Sequence, residues 1–342
     1  MALENELNLV LAKFRKIVDP VIKRVLISGV DKKFHDIVSY QISTGGKRLR
    51  PALAIISCLA LGGKIKDVLY PAAGLEILHN YTLIIDDMID NDQERRGKPT
   101  LWSKFGESIA QCVGIDYGTA VFQAAKHSNK YIKISELFAL LMKDITDGQI
   151  LDILFEQQGR YDESYVLKNR YSKITEKDYF KMVSQKTASL FQTCCEVGGI
   201  CAKASEKRLE ALKNFGLNLG IAFQIQDDIL DIFGEPNSRK TSLQGKDILE
   251  RKGGNIVILI ALNELSSKER ENFLKIFKKE KIEGRDIRGA IKLIKKTSAF
   301  QKANLLGRQY IEKAKKYLQF FPKNKWRNLL EDFANFAMKR EK

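Results

Sequence analysis

Apolar residues recur at helical spacing along nearly the whole 342-residue chain, whereas the alternation typical of β-strands is nearly absent. Only six prolines punctuate this pattern, and no Pro/Gly/Ser-rich linker divides the chain. The hydrophobic content of 44% is ample for a sizeable core. We therefore predict an all-α protein with one domain over residues 1–342, built from antiparallel helices around a central cleft.

Proline and glycine indicate where several helices begin and end. Asp19-Pro20 is a candidate interruption of the first helix, and Pro51 fits the first turn of a later one that Gly62-Gly63 ends. Pro71 is predicted to start the next helix, and Arg95–Thr100 to form a loop. Further helices are predicted over residues 107–126, 134–157, 175–203, 206–233, 254–264, 268–279, 285–304, 306–319 and 326–339.

Two aspartate motifs with the pattern D-D-x-x-D, Asp86–Asp90 and Asp227–Asp231, lie inside this apolar, helix-periodic sequence. Residues four apart share one face of a helix, so the first and last carboxylates of each motif point the same way. Carboxylates in apolar surroundings are costly unless a cation compensates them. Mg²⁺ prefers oxygen ligands and bridges carboxylates to substrate phosphates, so the two motifs predict diphosphate chemistry with magnesium.

Six sequence blocks resemble the trans-isoprenyl diphosphate synthases, also called polyprenyl synthetases. In chain order they are Gly45–Pro51, Glu76–His79, Asp86–Asp90, Arg95–Thr100, Lys186–Ala188 and Phe223–Asp228. The residues from His79 to Thr100 look most like the archaeal branch, whose members often make geranylgeranyl diphosphate (C20). The resemblance implies the isoprenoid synthase fold and a homodimer or higher homo-oligomer.

The resemblance also implies a Mg²⁺-dependent, head-to-tail trans-prenyltransferase, which condenses allylic diphosphates with isopentenyl diphosphate. About three Mg²⁺ ions per active site are expected, two shared by Asp86 and Asp90 and a third held by Asp227. The remaining aspartates of the motifs would act next to the metal or through water: Asp87, Asp228 and Asp231.

Further residues are assigned to the substrates by the same resemblance. The isopentenyl diphosphate site, which needs no metal in this family, would be formed by Lys47, Arg48, His79 and Arg96. Arginine suits phosphate geometrically, which agrees with a metal-free site. The allylic diphosphate would be neutralised by Arg95, Lys186, Lys252 and one of two competing lysines, Lys240 and Lys246. Oxygens of Thr187 and Gln224 would face the carbocation.

The two residues before the first aspartate motif bear on product length. In the family, an aromatic residue five positions upstream and a small one four upstream are typical of C20 synthases. Tyr81 and Thr82 match that pair, so we expect geranylgeranyl diphosphate. A farnesyl (C15) synthase usually has aromatics at both positions, and a Tyr81 that only packs in the core would allow a longer product. A non-catalytic subunit is a further alternative, although such subunits usually lose the first aspartate motif.

Three segments depart from the family pattern. Ile115 stands where an A-G-D segment usually has glycine, and residues 239–247 are longer than the usual G-K-x-x-G-x-D stretch. Gly254-Asn255-Ile256 replaces a usual T-L-P. Squalene or phytoene synthases and terpene cyclases share the helical fold and Asp-rich motifs but lack the Gly45–Pro51 and Arg95–Thr100 blocks.

The net charge of +16 raises the question of an anionic partner. Acidic residues are interspersed with the basic ones and aromatic stacking motifs are absent, so we expect solvated helix faces and no nucleic acid binding. The five cysteines show no C-x-x-C spacing. Neither a signal peptide nor a long apolar run is found, which predicts a cytoplasmic protein without stable membrane insertion.

Overall fold

The computed structural model describes residues 2–234 and 244–339, with side chains described from residue 6 onward. Helices make up nearly all of its regular structure, which confirms the all-α prediction. The helices up to the second aspartate motif are α1 (Ala2–Ile27), α2 (His35–Ser43), α3 (Leu49–Ala60), α4 (Ile65–Ile89), α5 (Leu101–Phe105), α6 (Glu107–Ala125), α7 (Tyr131–Leu154), α8 (Ser164–Asn169), α9 (Glu176–Val183), α10 (Ser189–Cys201) and α11 (Glu206–Phe233). Those after it are α12 (Lys246–Leu249), α13 (Ile256–Glu264), α14 (Ser267–Phe277), α15 (Gly284–Ile294), α16 (Ala299–Lys316) and α17 (Lys325–Lys339).

Shorter elements lie between these helices. Two 3₁₀ turns cover Lys32–Phe34 and Tyr317–Phe320, and a π turn covers Ser184–Ala188. The antiparallel strands β1 (Glu94–Arg95) and β2 (Lys98–Pro99) pair Glu94 with Pro99 and Arg95 with Lys98. This hairpin stands where a loop was predicted, because Arg96 (φ 58°) and Gly97 (φ 72°) both take the left-handed conformation that a tight hairpin turn needs.

Contacts within the chain define two compact units. The first contains Met1–Lys143, Ser189–Asn218 and Lys313–Phe336, and the second contains Asp144–Ala188, Leu219–Glu312 and Ala337–Lys342. The first aspartate motif belongs to the first unit and the second motif to the second. That residues 1–342 form one domain stays a prediction.

The core of the first unit is formed mainly by α3, α4, α6 and α10. Helix α3 is apolar and buried on almost every side, so it packs against neighbours all around. Small residues let it approach α10 closely: a Cβ on Gly198 would lie 2.4 Å from the carbonyl oxygen of Ala54. This packing holds α4, and with it the first aspartate motif, in place.

The core of the second unit surrounds α13, whose residues Ile256–Ala261 are all buried. One face of α15 packs against α13 and contributes Ile287, Ile291 and Ile294. Phe273 and Phe277 of α14 lie next to each other, with ring centroids 5.2 Å apart. The end of α11 that carries the second aspartate motif belongs to this unit.

The structure corrects one predicted helix start, at Pro71, and one candidate interruption, at Asp19-Pro20. Helix α4 begins at Ile65, six residues before Pro71, and its first two turns bury Val68 completely. Helix α1 continues through Pro20 to Ile27, so Asp19-Pro20 does not interrupt it. In both helices the burial of apolar residues on either side outweighs the hydrogen bond that proline removes.

The predicted boundary between residues 304 and 306 is also wrong. Helix α16 runs unbroken from Ala299, and the break lies earlier, at residues 295–298. There the Thr297 hydroxyl donates to the Ile294 carbonyl at 2.7 Å, and Ser298 donates its N–H and hydroxyl to Glu264 at 2.7 and 2.6 Å. Hydroxyl side chains that bond the backbone or a distant carboxylate end a helix readily.

None of the helices within residues 2–234 and 244–339 combines the length and the apolar composition needed to cross a lipid bilayer.

Candidate active site

The first aspartate motif lies at the C-terminal end of α4. Asp86 and Asp87 stand in the last turn of the helix, and Asp90 caps it with φ −86° and ψ −2°. Asn91 follows in the left-handed conformation (φ 55°), where the helix cannot continue. The C-terminus of a helix carries partial negative charge, so three carboxylates at this end create a local demand for cations.

Arg95 of the β-hairpin supplies part of that positive charge. Its Nε lies 2.5 Å from Asp87 Oδ1, and its Nη2 lies 3.8 Å from Asp86 Oδ2. The same Nη2 lies 3.6 Å from Asp92 Oδ2. The structure thus brings Arg95 together with the first aspartate motif, and its role as a ligand of the allylic diphosphate stays a prediction.

Asp87 is the most buried carboxylate of this group, with 1% of the residue exposed. Its Oδ2 is buried and has no hydrogen-bond partner within the described part of the chain. Burial raises the pKa of Asp87 to about 6, although Arg95 lowers it. A buried carboxylate with an open oxygen, beside two more carboxylates, is chemically suited to a hard divalent cation.

Two arginine side chains hold the glycine turn before α3. Arg48 Nη1 donates to the Gly45 carbonyl at 2.8 Å, and Arg96 donates to the same oxygen. Gly46 has φ 131°, and a Cβ there would lie 2.8 Å from Arg48 Nη1 and 3.0 Å from Arg96 Nη1. Glycine is required at this position by both the backbone conformation and the adjacent guanidinium groups.

Arg48 is buried, and its guanidinium is bonded within its own unit. Its Nε lies 2.7 Å from Asp19 Oδ1, and its Nη1 lies 3.2 Å from Glu76 Oε1. Its Nη2 donates to the Ile42 carbonyl at 3.0 Å. These bonds give Arg48 a structural part in the turn, and its direct contact with isopentenyl diphosphate stays a prediction.

Arg96 lies among three other arginines and one glutamate. Burial lowers the pKa of Arg96, and the nearby carboxylate of Glu76 raises it. Three further arginines lower this pKa because of their charge: Arg95, Arg48 and Arg50. A cluster of guanidinium groups offers a diphosphate several paired N–H donors, so this arginine cluster fits a metal-free diphosphate site.

Arg50 was not among the predicted ligands. Its guanidinium carbon lies 5.3 Å from the ring centroid of Phe191 on α10, and it belongs to the arginine cluster. Lys47, which was predicted, is exposed, and its ammonium lies 5.4 Å from the Phe336 ring centroid. His79 is half-buried on α4. The sequence could have indicated Arg50, because it is the third cationic residue of Lys47-Arg48-Leu49-Arg50.

The two predicted chain-length residues lie on α4, before the first aspartate motif. A Cβ on Gly114 would lie 3.9 Å from Tyr81 Cε2, and one on Gly118 would lie 4.0 Å from the same atom. The Tyr81 ring therefore rests against two glycines that are one turn apart on α6. Thr82 donates its hydroxyl to the His79 carbonyl at 2.8 Å, as a residue in mid-helix often does.

In the second unit, Lys186 and Thr187 lie in the π turn between α9 and α10. Gly148 of α7 packs directly on this turn, since a Cβ at 148 would lie 2.3 Å from Lys186 N and 2.7 Å from Lys186 Cα. π turns inside helices are frequent at functional positions. The missing side chain at Gly148 is what lets the two backbones approach.

Two carboxylates link three of the lysines predicted for the allylic diphosphate. Lys186 Nζ lies 2.7 Å from Asp152 Oδ2, and Lys252 Nζ lies 3.8 Å from the same oxygen. Glu250 Oε2 lies 2.9 Å from Lys252 Nζ, and Glu250 Oε1 lies 3.0 Å from Lys246 Nζ. We call these five side chains the lysine–carboxylate chain.

Lys240, which competed with Lys246 for the role of phosphate lysine, lies outside the described residues. Asp152 and Glu250 were missed because acidic residues are not expected ligands of a diphosphate. A usable signal was present for Glu250, which precedes Lys252 by two residues. For Asp152 only its position one turn after Gly148 on α7 was available.

A second series of hydrogen bonds joins the predicted carbocation-facing residues to the second aspartate motif. The Thr187 hydroxyl donates to Gln224 Oε1 at 2.8 Å, and Gln224 Nε2 donates to Asp228 Oδ1 at 2.8 Å. Asp228 Oδ2 accepts the N–H of Ile256 at 3.0 Å. Thr187 and Gln224 are therefore fixed relative to each other and to Asp228.

The second aspartate motif lies in the last two turns of α11 and concentrates negative charge. Asp228 is 3% exposed, and burial together with the nearby Asp247 raises its pKa well above the usual range. Burial and Asp247 also raise the pKa of Asp231, although it accepts the N–H groups of Lys246 and Asp247 at 2.9 and 3.2 Å. Asp227 is half-buried on the same helix. A bound cation would stabilise the charged form of these buried carboxylates.

The donor chemistry of both motifs fits Mg²⁺. Within residues 2–234 and 244–339, no three His, Cys, Asp or Glu side chains converge as a ready-made metal site. Mg²⁺ is usually bound through one or two carboxylates, while waters and substrate phosphates complete its octahedron. Oxygen ligands on helix ends, with a buried open oxygen at Asp87, are compatible with that mode.

Comparison with known proteins identifies the family. The sequence pattern of the family described as polyprenyl synthetase matches residues 31–294. The short chain isoprenyl diphosphate synthase of Methanocaldococcus jannaschii is 34% identical over 313 residues, which are 91% of this chain and 90% of that protein. The geranylgeranyl diphosphate synthase of Saccharolobus solfataricus is 32% identical over 339 residues, which are 96% and 97% of the two chains.

A solved structure gives the same result for the fold. The geranylgeranyl pyrophosphate synthetase from Pyrococcus horikoshii superposes with a TM-score of 0.87 at 31% sequence identity, covering 98% of this chain and 99% of that one. This similarity confirms the isoprenoid synthase fold that the sequence motifs implied.

We predict that Arg48→Ala lowers the free energy of unfolding by about 3–5 kcal/mol, because Glu76 is left buried without its cation. Denaturant unfolding followed by circular dichroism measures this change. The control is Lys47→Ala, an exposed neighbour whose removal should change stability by no more than about 0.5 kcal/mol. Equal stability of the two variants would show that the turn does not depend on the Arg48 bonds.

Proposed function

The chain belongs to the polyprenyl synthetase family and is a trans-prenyltransferase, and from that premise we propose that it makes geranylgeranyl diphosphate. The proposed reaction joins an allylic diphosphate to isopentenyl diphosphate head to tail. The bond between the allylic carbon and its oxygen breaks, and diphosphate leaves with the electron pair. The double bond of isopentenyl diphosphate attacks the carbocation, and loss of a proton restores a double bond in the lengthened chain.

The observation that best supports this proposal is the arginine cluster of the first unit. Burial and the charges of Arg95, Arg48 and Arg50 lower the pKa of Arg96, so four guanidinium groups lie close together where a diphosphate could bind. We assign Lys47, Arg50, Arg96 and His79 to isopentenyl diphosphate. Arg48 is assigned an indirect role at the same site, because it holds the glycine turn in place. Arginine N–H groups bind phosphate oxygens in pairs, so this substrate needs no metal.

We further propose that the enzyme depends on Mg²⁺, with about three ions in all. Asp86, Asp90 and Asp227 would hold them, and the other aspartates would act beside them: Asp87, Asp228 and Asp231. Bound Mg²⁺ supplies positive charge to the diphosphate oxygens as the leaving group develops charge. The ammonium groups of Lys186, Lys246 and Lys252 add fixed positive charge in the second unit.

Thr187 and Gln224 are proposed to stabilise the carbocation. The hydrogen bond between them fixes both side-chain dipoles before the substrate ionises. Preorganised dipoles lower a barrier because they need no reorientation while the charge forms. Gln224 is held in turn by Asp228, so the second aspartate motif also orients this pair.

The C20 length is supported by the position of Tyr81. Its ring rests against Gly114 and Gly118, where it is held by α6 and can close the space for a growing tail. Tyr81 lies five residues before Asp86, which is about 7.5 Å along the helix axis. A C15 product, or one longer than C20, is the alternative. The similar synthases that are named for geranylgeranyl diphosphate favour C20.

We also propose that two copies of the chain associate through the outer face of α6. This face carries no charge at Cys112, Ile115, Thr119 and Phe122, which recur at helical spacing and are all exposed. Ile115 is 69% exposed and stands where the family usually has glycine. An uncharged, partly apolar face on a chain with 29% charged residues is typical of an interface.

The first test is a product assay with Mg²⁺, isopentenyl diphosphate and each of dimethylallyl, geranyl and farnesyl diphosphate. We expect a C20 product, identified by mass spectrometry. The Asp86→Asn variant should lose at least about 100-fold in kcat, because it loses the charge that binds the metal. Asp162→Asn, in an exposed segment, is the control and should remain active. Absence of product with every primer would contradict the proposed function.

Product length should respond to Tyr81 and Thr82 in opposite directions. We expect Tyr81→Ala to give products longer than C20, because the ring no longer limits the tail. We expect Thr82→Phe to shift the product to C15, because a second ring is added one residue nearer the motif. Tyr131→Ala, an exposed tyrosine on α7, is the control. An unchanged C20 product from Tyr81→Ala would refute the assignment of this residue.

The proposed association is tested by light scattering coupled to size exclusion. We expect the wild-type chain to have twice its own mass of 38.9 kDa, and Ile115→Lys to shift it toward the monomer. Leu305→Lys, which charges a leucine on α16 that is 58% exposed, should leave the mass unchanged. A wild-type monomer, or a dimer that survives Ile115→Lys, would exclude this face as the interface.

A further inference from the structure

We propose that Asp152 and Glu250 are positioning residues for the diphosphate-binding lysines. Acidic side chains are not expected at a site that binds an anion. Together, however, Asp152 and Glu250 contact all three of the predicted diphosphate lysines that lie within the described residues. The proposal rests on the proposed function, since it takes the allylic diphosphate as the ligand of Lys186, Lys246 and Lys252. It assigns the two acids an indirect role, because they act through the ammonium groups.

The geometry of the lysine–carboxylate chain favours a positioning role. Asp152 is buried, with 6% of the residue exposed, whereas the side chain of Lys186 is 22% exposed and that of Lys246 is 28% exposed. Asp152 therefore holds Lys186 from the protein side, and Glu250, whose side chain is 16% exposed, does the same for Lys246. An ammonium group has three N–H donors, so a lysine bonded to a carboxylate can still donate to a phosphate oxygen.

The backbone fixes Asp152 and the lysines around α7. Gly148 lies one turn before Asp152 and seats the π turn that carries Lys186. Beyond the C-terminal end of α7, Gln157 N–H donates to the Arg251 carbonyl at 3.0 Å, and Gly253 N–H donates to the Phe155 carbonyl at 3.2 Å. These bonds hold the segment with Lys252 beside the end of α7. The carboxylate of Asp152 is therefore placed between Lys186 and Lys252 by two independent backbone contacts.

The net charge of the lysine–carboxylate chain also suits a site that binds an anion reversibly. Three ammonium groups and two carboxylates leave a net charge of +1 before any substrate binds. Lysine is a flexible point charge that loses rotamer freedom when it binds a ligand, so prior positioning reduces that loss. Without the acids, the three ammonium groups would repel one another and spread into solvent. We infer that the acids keep them close enough to meet one diphosphate.

The test compares alanine and amide substitutions at both acids. Asp152→Ala and Glu250→Ala remove the acceptor oxygens, whereas Asp152→Asn and Glu250→Gln keep one. We expect each alanine variant to lose about tenfold in kcat/KM for geranyl diphosphate, while KM for isopentenyl diphosphate stays within about twofold. The amide variants should recover most of this loss. A purely structural defect would not separate the two substrates or be rescued by an amide.

A matched control and a binding measurement complete the experiment. Glu264→Gln removes a carboxylate that lies 2.7 Å from Lys302 in the same unit but outside the lysine–carboxylate chain, and it should match the wild type. Calorimetric titration with inorganic pyrophosphate reports on the lysines without any reaction. We expect about tenfold weaker binding by the alanine variants and near-normal binding by the amide variants.

Two results would overturn the positioning role. One is wild-type kinetics and pyrophosphate affinity in both alanine variants. The other is an equal rise in KM for both substrates that the amide variants do not rescue. A wild-type protein that makes no prenyl product from any primer would refute the proposed function instead. The pyrophosphate titration would then still decide whether Asp152 and Glu250 position the lysines.

Discussion

The structure depends on the balance between buried carboxylates and the cations that make their burial tolerable. Glu76 is held by Arg48, Asp87 by Arg95 and Asp152 by Lys186. Removing a charge from water is expensive, so each pairing must form as its unit folds. The same pairing fixes cationic groups in defined places. In the arginine cluster, four guanidinium groups lie close enough together for their charges to lower the pKa of Arg96.

Local patterns predicted most of the helices well, because a helix depends on neighbours within a few residues. The break at residues 295–298 could not be read in this way, since it depends on Glu264, which lies 34 residues before Ser298. Asp152 lies 34 residues before its partner Lys186, so no local pattern could join the two side chains either. Pro71 misled the prediction because local proline rules do not include the burial of Val68 one turn earlier.

At the glycine turn, residue type did not predict which cationic side chain is buried. Lys47 and Arg48 are adjacent cations with the same apparent purpose, yet one is exposed and the other is buried. The difference comes from the left-handed conformation of Arg48 (φ 53°), which directs its side chain toward Asp19 and Glu76. Residue type alone predicted a diphosphate site here. The conformation decides which cation is bonded within the fold and which is exposed.

Gly254-Asn255-Ile256, which departs from the family pattern, makes specific hydrogen bonds in the second unit. Asn255, in the segment that replaces T-L-P, caps α13 by accepting the N–H of Val257 at 2.9 Å. Its Nδ2 donates to Asp247 Oδ2 at 2.8 Å, and the next N–H, that of Ile256, donates to Asp228 Oδ2 at 3.0 Å. The N-terminus of α13, with its partial positive charge, is therefore bonded to the second aspartate motif. The substituted segment therefore compensates these carboxylates with backbone N–H groups and an amide, and the charge of Lys252 also lowers the pKa of Asp247.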